Sequence, residues 1–161
     1  MPYLDPTQLA LLSDQARASP RRRINQNFHP ALDAPISRLA IAMEPDSYVR
    51  PHRHPDRWEL LIALRGAFDV VIFTDDGIVK ARHRLSLSEG VSVLEYPANT
   101  WHSLVSLVSG SVFFEVKEGP YVPLAPPDAM AWSPPEGDPK VAECLGFLRS
   151  ARVGQRFAVS R

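Results

Sequence analysis

From Ile36 to Glu118 short apolar runs alternate with Gly, Pro, Asp and Asn breaks. "ISRLAIAM", "SYVRPHRH", "WELLIALRG", "AFDVVIFTDDG", "IVKARHRLSL", "VSVLEY", "SLVSLV" and "SVFFEVKE" are rich in β-branched and aromatic residues, and no long helical pattern separates them. Eight or so strands about ten residues apart predict an antiparallel sandwich or barrel. "TDDGIV" places a hairpin turn at Asp76-Gly77. The two ends read differently. In "DPTQLALLSDQARASP", Asp5 can cap a helix, Pro6 fits its first position and Gln8 stands where a capping box wants it. Leu9, Leu12 and Ala16 give it an apolar stripe, Pro20 stops it, and its expected role is a lid or packing element. Near the other end Asp138 can cap and Pro139 can open a helix on which Val141, Leu145 and Leu148 share a face.

Composition places these elements in one unit. The chain has 161 residues, enough for one domain with a real core. The expected layout is a single domain over 1–161: an N-terminal helix in 1–20, a β-barrel in 21–119, and a Pro-rich wrap with a C-terminal helix in 120–161. Sixteen prolines make up about 10% of the chain, and seven of them fall between Pro120 and Pro139. Proline breaks helices and is excluded from central strands, so that stretch must be extended loop. Its Tyr121, Met130 and Trp132 predict packing along a surface.

Charge narrows the partners. Eighteen basic residues balance eighteen acidic ones, which gives no support for nucleic acid, a membrane surface or a polyanion as partner. The cluster Arg21-Arg22-Arg23 reads as a solvated basic turn in preference to a binding patch. A single cysteine, Cys144, excludes an intrachain disulfide and a Cys-based zinc finger and suits a reducing cytoplasm. "MPYLDPTQLALLSDQ" lacks the pattern of a signal peptide, and no apolar run approaches the roughly 18 residues of a membrane span. A cytoplasmic location is the expectation. Sheet edges make a homodimer compatible with the pattern.

The candidate chemistry lies in the histidines. His52 and His54 are one residue apart, and in a regular strand both point to one face, along with Tyr48 and Arg50. Glu59 opens the next apolar run after "PDRW". His102 follows the turn Pro97-Ala98-Asn99 at the start of another strand. Histidines spaced H-x-H are common on surfaces, so the pair alone carries little weight. With Glu59 and His102 the set suits a divalent first-row transition metal, Zn, Fe, Mn or Ni, and leaves positions open for water or substrate. His83, in "KARHR", is expected to face solvent.

At full length the pattern resembles a known superfamily. "HRHPDRWELLIALRG" is similar to the first cupin motif, H-x-H, a glutamate and a later glycine, and "GVSVLEYPANTWHSLVS" to the second, with its glycine, proline and histidine. Asp46 stands where the first motif begins with glycine. The gap from Gly90 to Pro97 is one residue longer than usual, Asn99 replaces the turn glycine, and Ser106 replaces the final asparagine. Asparagine tolerates the left-handed conformation that turn requires. The resemblance implies an all-β fold, the cupin double-stranded β-helix or small jelly-roll barrel with short N- and C-terminal helices. It also implies one divalent metal on His52, His54, Glu59 and His102. "RRRINQNFH", "PDSYVRPHRH", "YPANTWHSLV", "FEVKEGPY" and "AWSPPEG" resemble, more narrowly, the WbuC family of cupin-fold metalloproteins, found beside bacterial surface-polysaccharide genes.

Around the expected metal, Arg50 would hold an anionic group through its two-pronged guanidinium, or form a salt bridge with a core carboxylate such as Glu115. Tyr48 and Trp101 would supply a flat wall to a sugar, or pack in the barrel. In "SVFFEVKEG", Phe113, Glu115 and Lys117 share a face, so an inward Glu115 is a candidate general base and an outward one a solvated strand residue. Asn25, Asn27 and His29 would line the pocket if an N-terminal strand closed the barrel mouth. Two function classes follow. The first is a metal-dependent enzyme on a small polar substrate, such as a sugar or nucleotide-sugar, of isomerase or epimerase type, with an iron-dependent dioxygenase as a variant. The second is a non-catalytic metallocupin that binds a sugar or other small, anionic ligand and regulates a partner. A storage-type cupin fits the short chain poorly.

Overall fold

The computed structural model describes residues 1–158. The end of the predicted C-terminal segment, 159–161, lies outside the described residues. Helix α1 spans Pro6–Ala18, with Asp5 as its cap accepting from the Gln8 amide at 2.8 Å. Eight strands follow: β1 Arg23–Asn27, β2 Ile36–Met43, β3 Glu59–Arg65, β4 Ala67–Phe73, β5 Val79–Ser86, β6 Val93–Tyr96, β7 Trp101–Ser106 and β8 Ser111–Glu118. Helix α2 spans Val141–Ser150. It starts later than Asp138 and Pro139 suggested: Lys140 is the cap residue, and Asp138 accepts the Lys140 amide just outside the helix.

The strands form two antiparallel sheets, one ordered β1-β2-β8-β3-β6 and the other β5-β4-β7. This is the jelly-roll cupin barrel expected from the sequence, and its layers follow from side-chain alternation. Met43, Leu61, Phe68, Val70, Leu104 and Phe113 fill the space between the sheets. On the outer face of the five-stranded sheet, Ala40, Ala42 and Val112 receive Leu12 and Ala16 of α1, which is therefore a packing helix. On the outer face of the three-stranded sheet, Val71, Phe73, Val79, Trp101 and Val105 receive Cys144, Leu145 and Leu148 of α2, together with Met130 and Phe157. Both sheets are thus covered outside, and β4 is buried on both faces. Among the described residues no helix is long and apolar enough to cross a membrane.

One predicted strand is absent. "SYVRPHRH" is extended but unladdered, holding only two isolated bridges at His52, to His102 and to Ala129. Pro51 cannot donate to a ladder, and the segment passes from the outside of one sheet to the mouth of the barrel. The Pro-rich stretch is loop, with a single 3₁₀ turn at Pro126–Asp128. Met130 is buried and Trp132 partly buried, as packing along a surface requires, while Tyr121 stays exposed.

Gly66 closes the first motif for a steric reason. Its φ is +70°, and a Cβ there would lie 2.1 Å from Ser111 Oγ. Gly66→Ala is expected to cost about 1–3 kcal/mol, read as a lower urea midpoint with unchanged slope. An unchanged midpoint would show that the β3–β4 turn tolerates a side chain.

Candidate functional site

Strand pairing brings the site together. Glu59 stands opposite Tyr96 of β6 on one side and opposite Lys117 of β8 on the other, so one carboxylate has a phenol and an ammonium as cross-strand neighbours. His102 is the second residue of β7. His52 bridges to it, with amide–carbonyl hydrogen bonds of 2.9 and 2.8 Å in the two directions. The His54 carbonyl accepts the Asn99 amide at 2.7 Å, and Asn99 has the left-handed φ of 64° anticipated for this turn. The Pro97–Thr100 turn and the histidine segment therefore hold each other in place.

The three imidazoles converge. Ring centroids lie 4.4 Å apart for His52 and His102, 5.0 Å for His52 and His54, and 6.1 Å for His54 and His102. His52 Nδ1 is 2.8 Å from the Arg50 carbonyl and His102 Nδ1 is 2.9 Å from the Thr100 carbonyl. A carbonyl only accepts, so each Nδ1 carries the proton and each Nε2 keeps a bare lone pair. His54 Nε2 is buried, 3.1 Å from Glu59 Oε1, yet makes no hydrogen bond because the pair is close but poorly aligned. His102 Nε2 is 3.3 Å from Glu59 Oε2.

Charge in the site is tightly coupled. Burial pushes the Glu59 carboxyl upward, but His102, His54 and Lys117 outweigh it and hold the group ionised, well below the usual range. The Tyr96 hydroxyl donates to Glu59 in a short hydrogen bond, and burial followed by the Glu59 charge raises the phenol well above its ordinary value. Burial and then His102 lower His52 to about 3, which keeps it a neutral donor. Lys117 Nζ sits 3.2 Å from Glu59 and 2.8 Å from Glu115. Burial disfavours its ammonium, and the two carboxylates more than reverse that. Glu115 faces inward and is buried, and its pKa is raised first by burial and then by Glu59, with Lys117 opposing. Glu115 Oε1 has an ion-pair distance to Lys117 without hydrogen-bond alignment, so it is left a free acceptor.

These groups line an inner cavity of about 150 Å³ whose floor is Ile41, Leu61, Leu104 and Phe113. An outer cavity of about 280 Å³ shares Arg23, Val49, His52 and Lys117 with it and adds Arg50, His54, Arg57 and Tyr121. The pair is of the size and mixed polarity that small-molecule sites have.

The structure brings together His52, His54, Glu59, His102 and Glu115. It places Arg50 in the outer cavity, donating to the carbonyl and hydroxyl of Ser133 at 2.9–3.2 Å, and not against Glu115. Trp101 and Tyr48 do not form a wall. Trp101 precedes His102 by one residue on β7 and so points to the opposite face, where its indole donates to Asp75 and Arg53 stacks 4.5 Å from its ring centroid. Tyr48 lies in that same outer core and donates to the Pro134 carbonyl, because the period-two count fails across the unladdered segment. Asn25 and Asn27 hydrogen-bond to each other, and with His29 they line a separate depression beyond Lys117. His29 Nδ1 accepts the Arg38 amide. His83 is exposed, as expected.

Three residues of the site escaped the sequence reading: Tyr96, Lys117 and Arg23. Lys117 was already on the charged face of β8, and Tyr96 stands directly before the motif proline. Arg23, read as part of a solvated turn, is only 16% exposed. It donates to the Tyr48 carbonyl at 2.6 Å and pairs with Glu136.

The donor set suits a divalent metal: three imidazoles, two of them with Nδ1 tied to a carbonyl, one buried Nε2 without a hydrogen bond, and an ionised carboxylate. Among the described residues no three such side chains stand in finished coordination geometry.

A family model described as a domain of unknown function (DUF6016) matches residues 4–85. No curated protein matches the sequence. Among solved structures the chain is similar to KdgF from Halomonas sp., with TM-score 0.50 and 19% identity over 65% of this chain and 84% of that one. It is similar also to CapF, solved with the inhibitor 3-isopropenyl-tropolone, with TM-score 0.52 and 14% identity over 62% of this chain and 28% of that one. At these identities the likeness establishes the cupin fold.

Proposed function

The chain belongs to the DUF6016 family, and from the geometry of its own site we propose that it is a metal-dependent enzyme acting on a small polar substrate of the sugar or nucleotide-sugar class, by isomerase- or epimerase-type chemistry. The observation that carries this reading is the convergence of three imidazoles and an ionised carboxylate beside an acid–base pair, Glu115 and Lys117. The sequence resemblance to the WbuC family supports a sugar-related substrate.

His52, His54, Glu59 and His102 would hold the metal. Once bound it would act as a Lewis acid on a substrate carbonyl or on vicinal hydroxyls. The chain supplies the rest. Glu115, pushed upward by burial, is suited to take and return a proton, and its unaligned oxygen faces the cavity. Lys117 holds Glu115 in place and offers charge to a developing oxyanion. Tyr96 orients Glu59 through its hydroxyl. The apolar floor keeps water from the reacting carbon.

Protein purified without added metal and without a histidine tag should contain about one equivalent of a first-row transition metal, and a His52→Ala/His102→Ala chain should contain none. Substoichiometric metal that is unchanged in that double variant would sink the proposal. For the enzymatic half, a turned-over sugar or nucleotide-sugar should take deuterium from D2O into a carbon position. Glu115→Gln should abolish that exchange with metal content intact. Saturable ligand binding without exchange in the unmodified chain marks a binding module instead.

A further inference from the structure

The outer cavity carries charge that the inner site does not use. Arg21 and Arg23 both reach Glu136, Arg53 pairs with Asp128, and Lys117 is held by Glu59 and Glu115. Two guanidinium groups on this wall have no carboxylate partner among the described residues. Arg50 is held from one side by the neutral Ser133 carbonyl and hydroxyl, leaving its Nη1 edge without a partner. Arg57, partly buried in the turn after His54, has no hydrogen-bond or ion-pair partner among the described residues. Both line the same cavity as His52 and His54. In a chain of zero net charge where most arginines on this face are neutralised, two that are left open next to the reactive centre need an anion supplied from outside.

We propose that the outer cavity is an anion subsite in which Arg50 and Arg57 grip a phosphoryl or carboxylate group of the substrate. The grip aims the rest of the molecule past His52 into the inner cavity, against Glu115. This rests on the reading of the inner cavity as the reaction site. It narrows the substrate class to small anionic, hydroxylated or carbonyl-bearing compounds. Ser133 acts as the positioning residue: it fixes one edge of Arg50 and leaves the other directed at the cavity. Guanidinium forks bind such groups bidentately, which gives orientation as well as affinity.

The test uses the full chain with 15N-labelled arginine side chains, both metal-stripped and metal-loaded, titrated with inorganic phosphate and, separately, with acetate. Saturable shifts of the Arg50 and Arg57 Nε–H signals are expected in both metal states. Arg57→Gln should weaken the binding about tenfold or more. Arg57 has no hydrogen bond or ion pair among the described residues, so this variant should keep the fold and the metal content. Arg156→Gln, whose arginine pairs with Asp76 outside this cavity, should bind as before. Preference for phosphate would identify a phosphoryl group, and equal or better acetate binding a carboxylate. Absence of Arg57 shifts with either anion, or unchanged affinity in Arg57→Gln, overturns the proposal. An anion that binds only to the metal-loaded chain without moving Arg57 also overturns it, since that is direct coordination. A chain that takes up no metal yet binds phosphate through Arg57 separates failure of the metal reading from failure of this one.

Discussion

Glu59→Ala is expected to lose the metal and about 3 kcal/mol of stability together. The Glu59 carboxylate is 3% exposed and serves Lys117, the Tyr96 hydroxyl, His54 and His102. Removing one member of a buried charge pair typically costs about 3–5 kcal/mol, because the partner stays buried without compensation. Lys117 keeps Glu115 at 2.8 Å, which places the loss at the lower end of that range. Glu59→Gln separates the two roles. The amide oxygen can still accept from Tyr96, and its NH2 can donate to the bare His54 Nε2, so most of the stability should survive. Metal affinity should nevertheless fall at least a hundredfold, since an amide is a poor ligand for a transition metal beside three imidazoles. Urea unfolding and elemental analysis of the three chains would show this. Full metal occupancy in Glu59→Gln would remove Glu59 from the ligand set.

The elements that were legible in the sequence are those with a strict period. β3 shows clean alternation because one face meets the barrel interior, and β8 alternates over Phe113–Val116, a period that in the sequence puts Glu115 and Lys117 on a common face. The capped start of α1 was legible because Asp5, Pro6 and Gln8 act locally. Between Ser47 and His54 the local rule broke down. A proline interrupts the ladder, the chain changes layer, and Tyr48 ends in the outer core while His52 and His54 enter the mouth. A face count applied there assigns Tyr48 wrongly, although it puts Arg50 on the side of the cavity that His52 and His54 line. Trp101 is a different case: its opposition to His102 follows directly from β-strand geometry.

Arg23 and Tyr96 were hidden for a tertiary reason. Arg23 enters the cavity because β1 adds to the edge of the five-stranded sheet opposite Met43, a pairing 20 residues distant in the chain. Tyr96 meets the Glu59 carboxylate only when β6 pairs with the start of β3. Neither pairing has a local signal. The motif spacing did encode the convergence of His52, His54 and His102, since the H-x-H segment and the Pro97–Thr100 turn clasp through the Asn99 amide and the His54 carbonyl.

Lys117→Met should lower the stability of the metal-free chain by about 3–5 kcal/mol and, at the same time, tighten metal binding about tenfold or more. In the native site the Lys117 ammonium lies between two buried carboxylates. Without it Glu59 and Glu115 face each other with no cation, and like charges at such range in a poorly solvated cavity are costly. A divalent cation then meets no competitor for Glu59 Oε1, which in the native site is shared between Lys117 and His54. Binding to the folded state alone stabilises in proportion to the logarithm of ligand over dissociation constant, so the thermal shift on adding Zn²⁺ or Mn²⁺ should be larger in Lys117→Met than in the unmodified chain. Lys117→Arg, which keeps the charge, should restore both behaviours toward the native values. Thermal denaturation with and without metal, together with a competition titration against a chelator, measures the two effects independently. A stability loss with unchanged or weaker metal affinity would mean that the lysine and the cation do not contend for the same oxygen, and Glu59 would then serve the ammonium alone.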